Sequence, residues 1–164
     1  MDYKGQLPLE YLLILGFSII LLMPIAQYSM EENELNQAMA AARTGAVEGS
    51  VIDAFAVYPD ESFSNYNQEH QRLLNPSSVK IQKIEYTNQG FNDNYHKTKI
   101  QLRIHASDQS IISKDDRNSL GDRINFFTRK KICQVFRTEN LTNTVYNPAF
   151  SSNYMFTTAD VCWE

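Results

Sequence analysis

The sequence predicts an α+β fold: a long N-terminal α-helix, then a small β-rich head that includes one additional helix. Three observations carry this reading. From Tyr11 to Met30 run twenty residues without a formal charge, dominated by Leu, Ile, Phe and Met, which as a helix suffices to cross a hydrocarbon core. Beyond Met30 the residues Leu35, Met39, Ala42, Ala46 and Gly49 recur at spacings of four and three, so the helix continues in amphipathic form. Further on, Ile100, Leu102, Ile104 and Ala106 alternate strictly with polar residues, the period of a half-buried strand.

The long helix runs from about Leu9 to Val57, since no proline or turn cluster intervenes before Tyr58-Pro59; that is roughly 70 Å at 1.5 Å per residue. Pro24 is expected to bend or locally melt it. The small residues Ala38, Ala40, Ala41, Ala42, Gly45, Ala46 and Gly49 allow two readings: a face kept small so that the head or another helix can approach closely, or simply alanine's helix propensity.

Charge around the apolar run narrows the function. Asp2, Lys4 and Glu10 precede it, and Glu10 stands almost inside it, where an ordinary signal peptide avoids an acid. A carboxylate at the edge of a membrane segment is costly unless it meets a cation. A cut after Gly5 creates one, because Gln6 then carries a free α-ammonium that can pair with Glu10 of a neighbouring subunit. Two plainer readings stand beside this: a signal peptide cut after Ala26, at Pro24-Ile25-Ala26, and a simple single-span anchor.

The stretch Lys4-Gly5-Gln6-Leu7-Pro8-Leu9-Glu10-Tyr11, followed by Leu12-Leu13-Ile14-Leu15, resembles the class III signal peptide of archaeal type IV pilins. Gln6 and Glu10 match the family's motif, Ile14 is a conservative change, and Pro8 replaces its serine, a substitution that suits a first helical turn. Glu10-Tyr11 also looks like the glutamate-tyrosine pair of bacterial Flp pilins, whose subunits are usually far shorter. The resemblance implies a type IV pilin-like fold and cleavage by a membrane-embedded prepilin peptidase between Gly5 and Gln6. It also implies retention of the apolar helix as a filament core, with the chain itself, an assembly platform and its ATPase as partners. The expected organisation is a leader at 1–5, a helix at 6–57 with its membrane segment at about 11–30, and an extracellular head at 58–164. The chain would be a single-pass membrane precursor and then part of a surface filament used for adhesion.

Within the head, residues 58–78 read as a connecting loop with at most a short helical turn near Gln68 to Leu74. Val79 and Ile81, then after a phase shift Ile84 and Tyr86, suggest the first strand, and Gln89 to Asn94 the hairpin loop. Gly90-Phe91-Asn92-Asp93-Asn94 lacks the ligand ladder of a calcium loop and reads as turn chemistry. From Ser113 a helix is expected, with Asp115 or Asp116 near its cap and Leu120, Ile124, Phe127, Ile132 and Val135 on its apolar face. The remainder reads as short strands. Abundant Asn, Tyr, Thr and Ser after about residue 60 fits an exposed, turn-rich β surface. Export would make a Cys133–Cys162 disulfide the economical use of the two cysteines, closing about 30 residues and contributing roughly 3 to 4 kcal/mol. Asn140-Leu141-Thr142 is a candidate glycosylation sequon.

The chain offers little to an enzyme. His70, His96 and His105 show no metal-ligand spacing, Glu31, Glu32 and Glu34 read as a solvated helix face, and no nucleophile, metal or phosphate-binding motif occurs. No catalytic residue, cofactor or metal is expected. A net charge of -4 with 15 scattered Lys and Arg argues against a nucleic-acid partner. Aromatics such as Phe91, Tyr95, Tyr146, Phe150, Tyr154 and Trp163 are expected mainly to fill the core, with an adhesive surface as the other possibility. The alternative to a filament subunit is a monomeric membrane-anchored surface protein or a minor pseudopilin of a secretion or uptake system.

Overall fold

The computed structural model describes residues 6–51, 79–108 and 113–164. It has the α+β architecture expected: a long apolar N-terminal helix, a mixed five-stranded sheet and a second helix. The expected loop at 58–78, and the stretch 52–57 assigned to the long helix, lie outside the described residues. The elements are α1 (Gln6–Val51), β1 (Lys80–Asn92), β2 (Lys97–Ser107), α2 (Lys114–Phe136), a single 3-10 turn (Glu139–Leu141), β3 (Ala149–Phe150), β4 (Tyr154–Thr158) and β5 (Cys162–Trp163). Two compact units divide within α1, Met1–Leu35 and Asn36–Glu164.

In the first unit α1 carries apolar side chains on all sides: Leu12, Ile14, Phe17, Ile20 and Ile25 are each more than 60% exposed. The helix passes through Pro24 without interruption. Proline removes the bond its N–H would have donated to Ile20, yet the turns on either side continue, so the expected local melting does not occur. Ser18 donates its hydroxyl to the Ile14 carbonyl at 2.8 Å, which satisfies its polar atom within the helix itself.

The second unit is organised around the small face of α1. Ala38, Ala42, Ala46 and Ser50 form one buried row at four-residue spacing, with Ala41, Gly45 and Gly49 as a second row beside it. Against this face lies α2. A Cβ at Gly45 would collide with the Phe127 carbonyl oxygen and come within 2.8 Å of the Thr128 Cα; one at Gly49 would come within 2.9 Å of the Ile124 Cα. The two backbones therefore approach as closely as they do only because these positions lack side chains, which decides between the two readings of the small residues. Arg123 on α2 donates its Nε–H to the Gly49 carbonyl at 2.9 Å, and Lys131 meets Glu48 at 3.5 Å.

β2 is the central strand. β1 pairs antiparallel along its whole length, while β4 and then β5 pair parallel along the other edge and β3 adds antiparallel to β4. The return from β2 to a parallel β4 requires a crossover, which α2 supplies. The predicted alternation holds: Ile100, Leu102, Ile104 and Ala106 are all buried. Ile104 and Ala106 join Ala46 of α1 and Leu120 and Ile124 of α2 in one core cluster, and each fully buried Leu or Ile contributes about 1.5–3 kcal/mol. The phase shift in β1 is a β-bulge between Ile81 and Lys83. An extra residue there keeps both Ile81 and Ile84 on the core face.

Three expectations need correction. The hairpin loop is not Gln89 to Asn94: β1 runs to Asn92, the turn falls at 93–96, and a second bulge lies between Asn88 and Phe91. Gly90, at φ 86°, takes the left-handed conformation that a bulge needs, so a turn-forming sequence was spent inside a strand. Val135 is 47% exposed; Phe136, one residue on, is the half-buried residue of that turn, after which Arg137 ends α2 in the left-handed conformation.

The third correction is the disulfide, because Cys133 and Cys162 are both free thiols. Cys133 is buried on α2 near Phe150 and Thr138. Phe150 is linked through Met155 to Lys99 of β2, whereas Cys162 is exposed on β5 opposite His105. Those anchor points lie six residues apart on β2, about 20 Å along a strand, too far for a bridge. Burial pushes the Cys133 thiol up from its ordinary value. Under native conditions a thiol reagent will label Cys162 and spare Cys133, and both will react once the chain is unfolded; labelling followed by intact-mass measurement checks this.

Gly45→Ala is expected to lower the unfolding free energy of the second unit by about 1–3 kcal/mol, since α1 must move off α2. Gly16→Ala, where an added Cβ meets nothing within 4 Å, should leave it unchanged in the same denaturation experiment.

Candidate functional site

The N-terminal segment is the first candidate. Gln6 opens α1, and Glu10 follows one turn later on the same side of the helix. Glu10 is exposed, flanked by Leu9 and Tyr11 at 67% exposure each and followed by exposed Leu12, Leu13 and Ile14. The stretch beginning at Pro8 is long and apolar enough to cross a membrane, and among the described residues none of its most apolar window is buried. Gly5 lies outside the described residues. At the start of a helix the first N–H groups lack partners and the macrodipole is positive, and α1 has no acid in its first turn. A free amine at Gln6 would add to that positive end.

The sequon sits where a modifying enzyme can reach it. Asn140 is exposed in the 3-10 turn, while Thr142 donates its hydroxyl to the Pro148 carbonyl at 2.6 Å. Among the histidines, His105 is a buried strand residue held between two carboxylates: Nδ1 lies 2.8 Å from Glu164 Oε1 and Nε2 lies 3.2 Å from Glu85 Oε2. With Glu164 N–H donating to the Ala106 carbonyl, this ties the segment after β5 to β2.

A second group was not anticipated from the sequence. Two adjoining recesses between α2 and the β4–β5 connection share Asp122, Asn125 and Asp160. Asn125 is 6% exposed; its amide donates to the Ala159 carbonyl at 3.0 Å, and its Oδ1 is buried with no hydrogen-bond partner. Asp122 and Asp160 remain open to solvent around it. Partial burial, and next the negative charge of Asp160, hold the Asp122 carboxyl above the usual carboxylate range, with the Arg129 guanidinium opposing them. Asp122 and Asn125 stand three apart on one helix face, which was readable; that Asp160 joins them depends on the parallel pairing of β4 and β5.

No family model matches this chain, and neither a curated protein nor a solved structure does.

A carboxyl group whose folded pKa lies above its unfolded value of 3.8 weakens the fold once it ionises, and the penalty is absent below the unfolded value. Asp122→Asn should therefore raise the melting temperature near neutral pH in metal-free, low-salt buffer. That advantage over the parent chain should shrink as pH falls toward 3.8 and as salt screens the Asp160 repulsion.

Proposed function

We propose that this chain is the precursor of a pilin-like structural subunit of a surface filament, cut once between Gly5 and Gln6 and assembled through α1. The observation that carries the reading is the apolar surface of α1, exposed on every side, with a single carboxylate one turn from the cleavage point. In a bilayer, lipid covers such a surface; in a filament, neighbouring helices do. Hydrophobic transfer contributes little to that exchange because lipid is as apolar as leucine, so packing and polar contacts between helices must drive it.

Glu10 supplies the polar contact. The Gln6 ammonium of one subunit pairs with Glu10 of the next, which neutralises both charges in an apolar setting and fixes the axial register between subunits. The implied partners are other copies of the chain, a prepilin peptidase, and an assembly platform with its ATPase. Adhesion is the role that an exposed, Asn- and Tyr-rich head would serve in such a filament, and Asn140 would carry a glycan there.

Mass spectrometry of the protein recovered from cells should find the mature chain beginning at Gln6. A chain beginning at Met1 or near Gln27 would overturn the proposal. Glu10→Ala should still be processed but should fall at least tenfold in the sheared filament fraction, whereas a chain that stays in the membrane fraction in both forms is a monomeric anchored protein.

A further inference from the structure

Two recesses of about 280 and 260 Å³ meet at Asp122, Asn125 and Asp160, between α2 and the β4–β5 connection. Each lies just below the volume range of sites for drug-sized molecules, on the scale of a single sugar ring. Their charges cancel: Asp122 and Asp160 bring two negative groups, Arg117 and Arg129 two positive ones. A strongly charged ligand would meet its own sign here, whereas a neutral ligand rich in hydroxyls finds acceptors and donors side by side.

The rim is polar and reachable. Asn118, Asp122 and Asp160 are exposed, so an amide and two carboxylates can bond a ligand without any buried group being uncovered. Arg129 adds charge more than contact, since its Nε and Nη2 are directed at the Val145 carbonyl and its Nη1 at the Thr158 hydroxyl. One wall is apolar. A Cβ at Gly121 would stand 3.4 Å from the Val161 Cβ, and the Trp163 indole borders the same space. Trp163 packs in part against the core cluster, which steadies its ring, and the Arg117 guanidinium lies 5.9 Å from the ring centroid. An aromatic wall beside amides and carboxylates suits a molecule with two characters, whose C–H groups rest on the ring while its hydroxyls reach the rim.

We propose that this paired recess binds a neutral glycan, with Trp163 as its apolar wall and Asn118, Asp122 and Asp160 as its hydrogen-bonding rim. The adhesive role proposed above thereby gains a ligand class. The glycan site rests on that reading for its use on a cell surface, but binding and assembly separate experimentally, because the recess belongs to the second unit and processing to the start of α1. Loss of sugar binding would leave a mature chain beginning at Gln6 untouched, and a chain never processed could still bind sugar.

The test uses the full chain in a zwitterionic detergent that carries no sugar, titrated with neutral hexoses, N-acetylhexosamines and their disaccharides. Trp163 is the one tryptophan of the chain, so its fluorescence reports on the recess directly. At least one of these sugars is expected to shift that fluorescence saturably, with a dissociation constant of about 1–10 mM, the strength so small a ligand supports. Glycerol and a uronic acid at the same concentration should not. Asp160→Ala and Asn118→Ala, both at exposed positions, should each weaken sugar binding about fivefold or more, the loss of one hydrogen bond, while leaving the melting temperature within about 2 °C of the parent. A response to every neutral sugar no greater than that to glycerol at about 50 mM, a uronic acid that binds as well as the neutral sugars, or unchanged affinity in both variants would overturn the site.

Discussion

Everything in the second unit depends on how closely α1 can lie against α2. Gly45 and Gly49 present bare backbone where any side chain would meet the main chain of residues 123–128, and the alanine row beside them keeps the groove continuous. At that separation Arg123 reaches the Gly49 carbonyl, and Ala46 reaches the cluster that Ile104 and Leu120 also occupy. A single methyl group at Gly45 would have to be accommodated by shifting a whole helix, because the atoms opposing it are mostly backbone, and interiors packed at crystal density transmit such shifts. The same helix therefore serves two regimes. Toward its C-terminal end it is held by contact through small residues, and toward its N-terminal end its large apolar residues are exposed among the described residues.

That contrast bears on the assembly reading. A soluble monomer rarely leaves so many Leu and Ile side chains exposed in one contiguous surface, and Glu10 at its N-terminal edge is a charge without an assigned partner in the described residues. Membrane insertion accounts for the apolar surface but leaves the carboxylate to be explained. The proposed pairing across subunits would account for both, and it would place the decisive interaction at a helix terminus, where the macrodipole already favours bringing a carboxylate toward it.

Much of the fold was legible because it rests on local periodicity. The strict alternation of β2, the four-and-three stripe of α1 and the face of α2 from Leu120 to Ile132 are each set by one element's own residues. The bulge at Ile81 was legible too, as a break in phase between Val79-Ile81 and Ile84-Tyr86. What failed were features whose outcome depends on a distant partner. Gly90 looked like a turn, and only the register with Thr98 and Ile100 makes it a bulge. Cys133 and Cys162 looked like a pair by count, but α2 holds Cys133 near Phe150 whereas β5 holds Cys162 opposite His105. In the N-terminal segment, the Gln6 and Glu10 spacing was readable directly. In the recess the Asp160 contribution was not, since it requires knowing that β4 returns parallel to β2 and that the following residues turn back over α2.

The sheet topology also sets an order of assembly. β1 and β2 are neighbours in sequence and zip together over a short turn, whereas the parallel contacts of β2, from Thr98 with Tyr154 to Ala106 with Trp163, join residues far apart in the chain. Closing such a loop carries an entropic cost before any contact rewards it, and topologies of this kind fold slowly. Until that closure, the free edge of β2 offers Ile100, Leu102 and Ile104 to any strand nearby, so a newly made chain has an interval in which chaperone protection decides between maturation and aggregation.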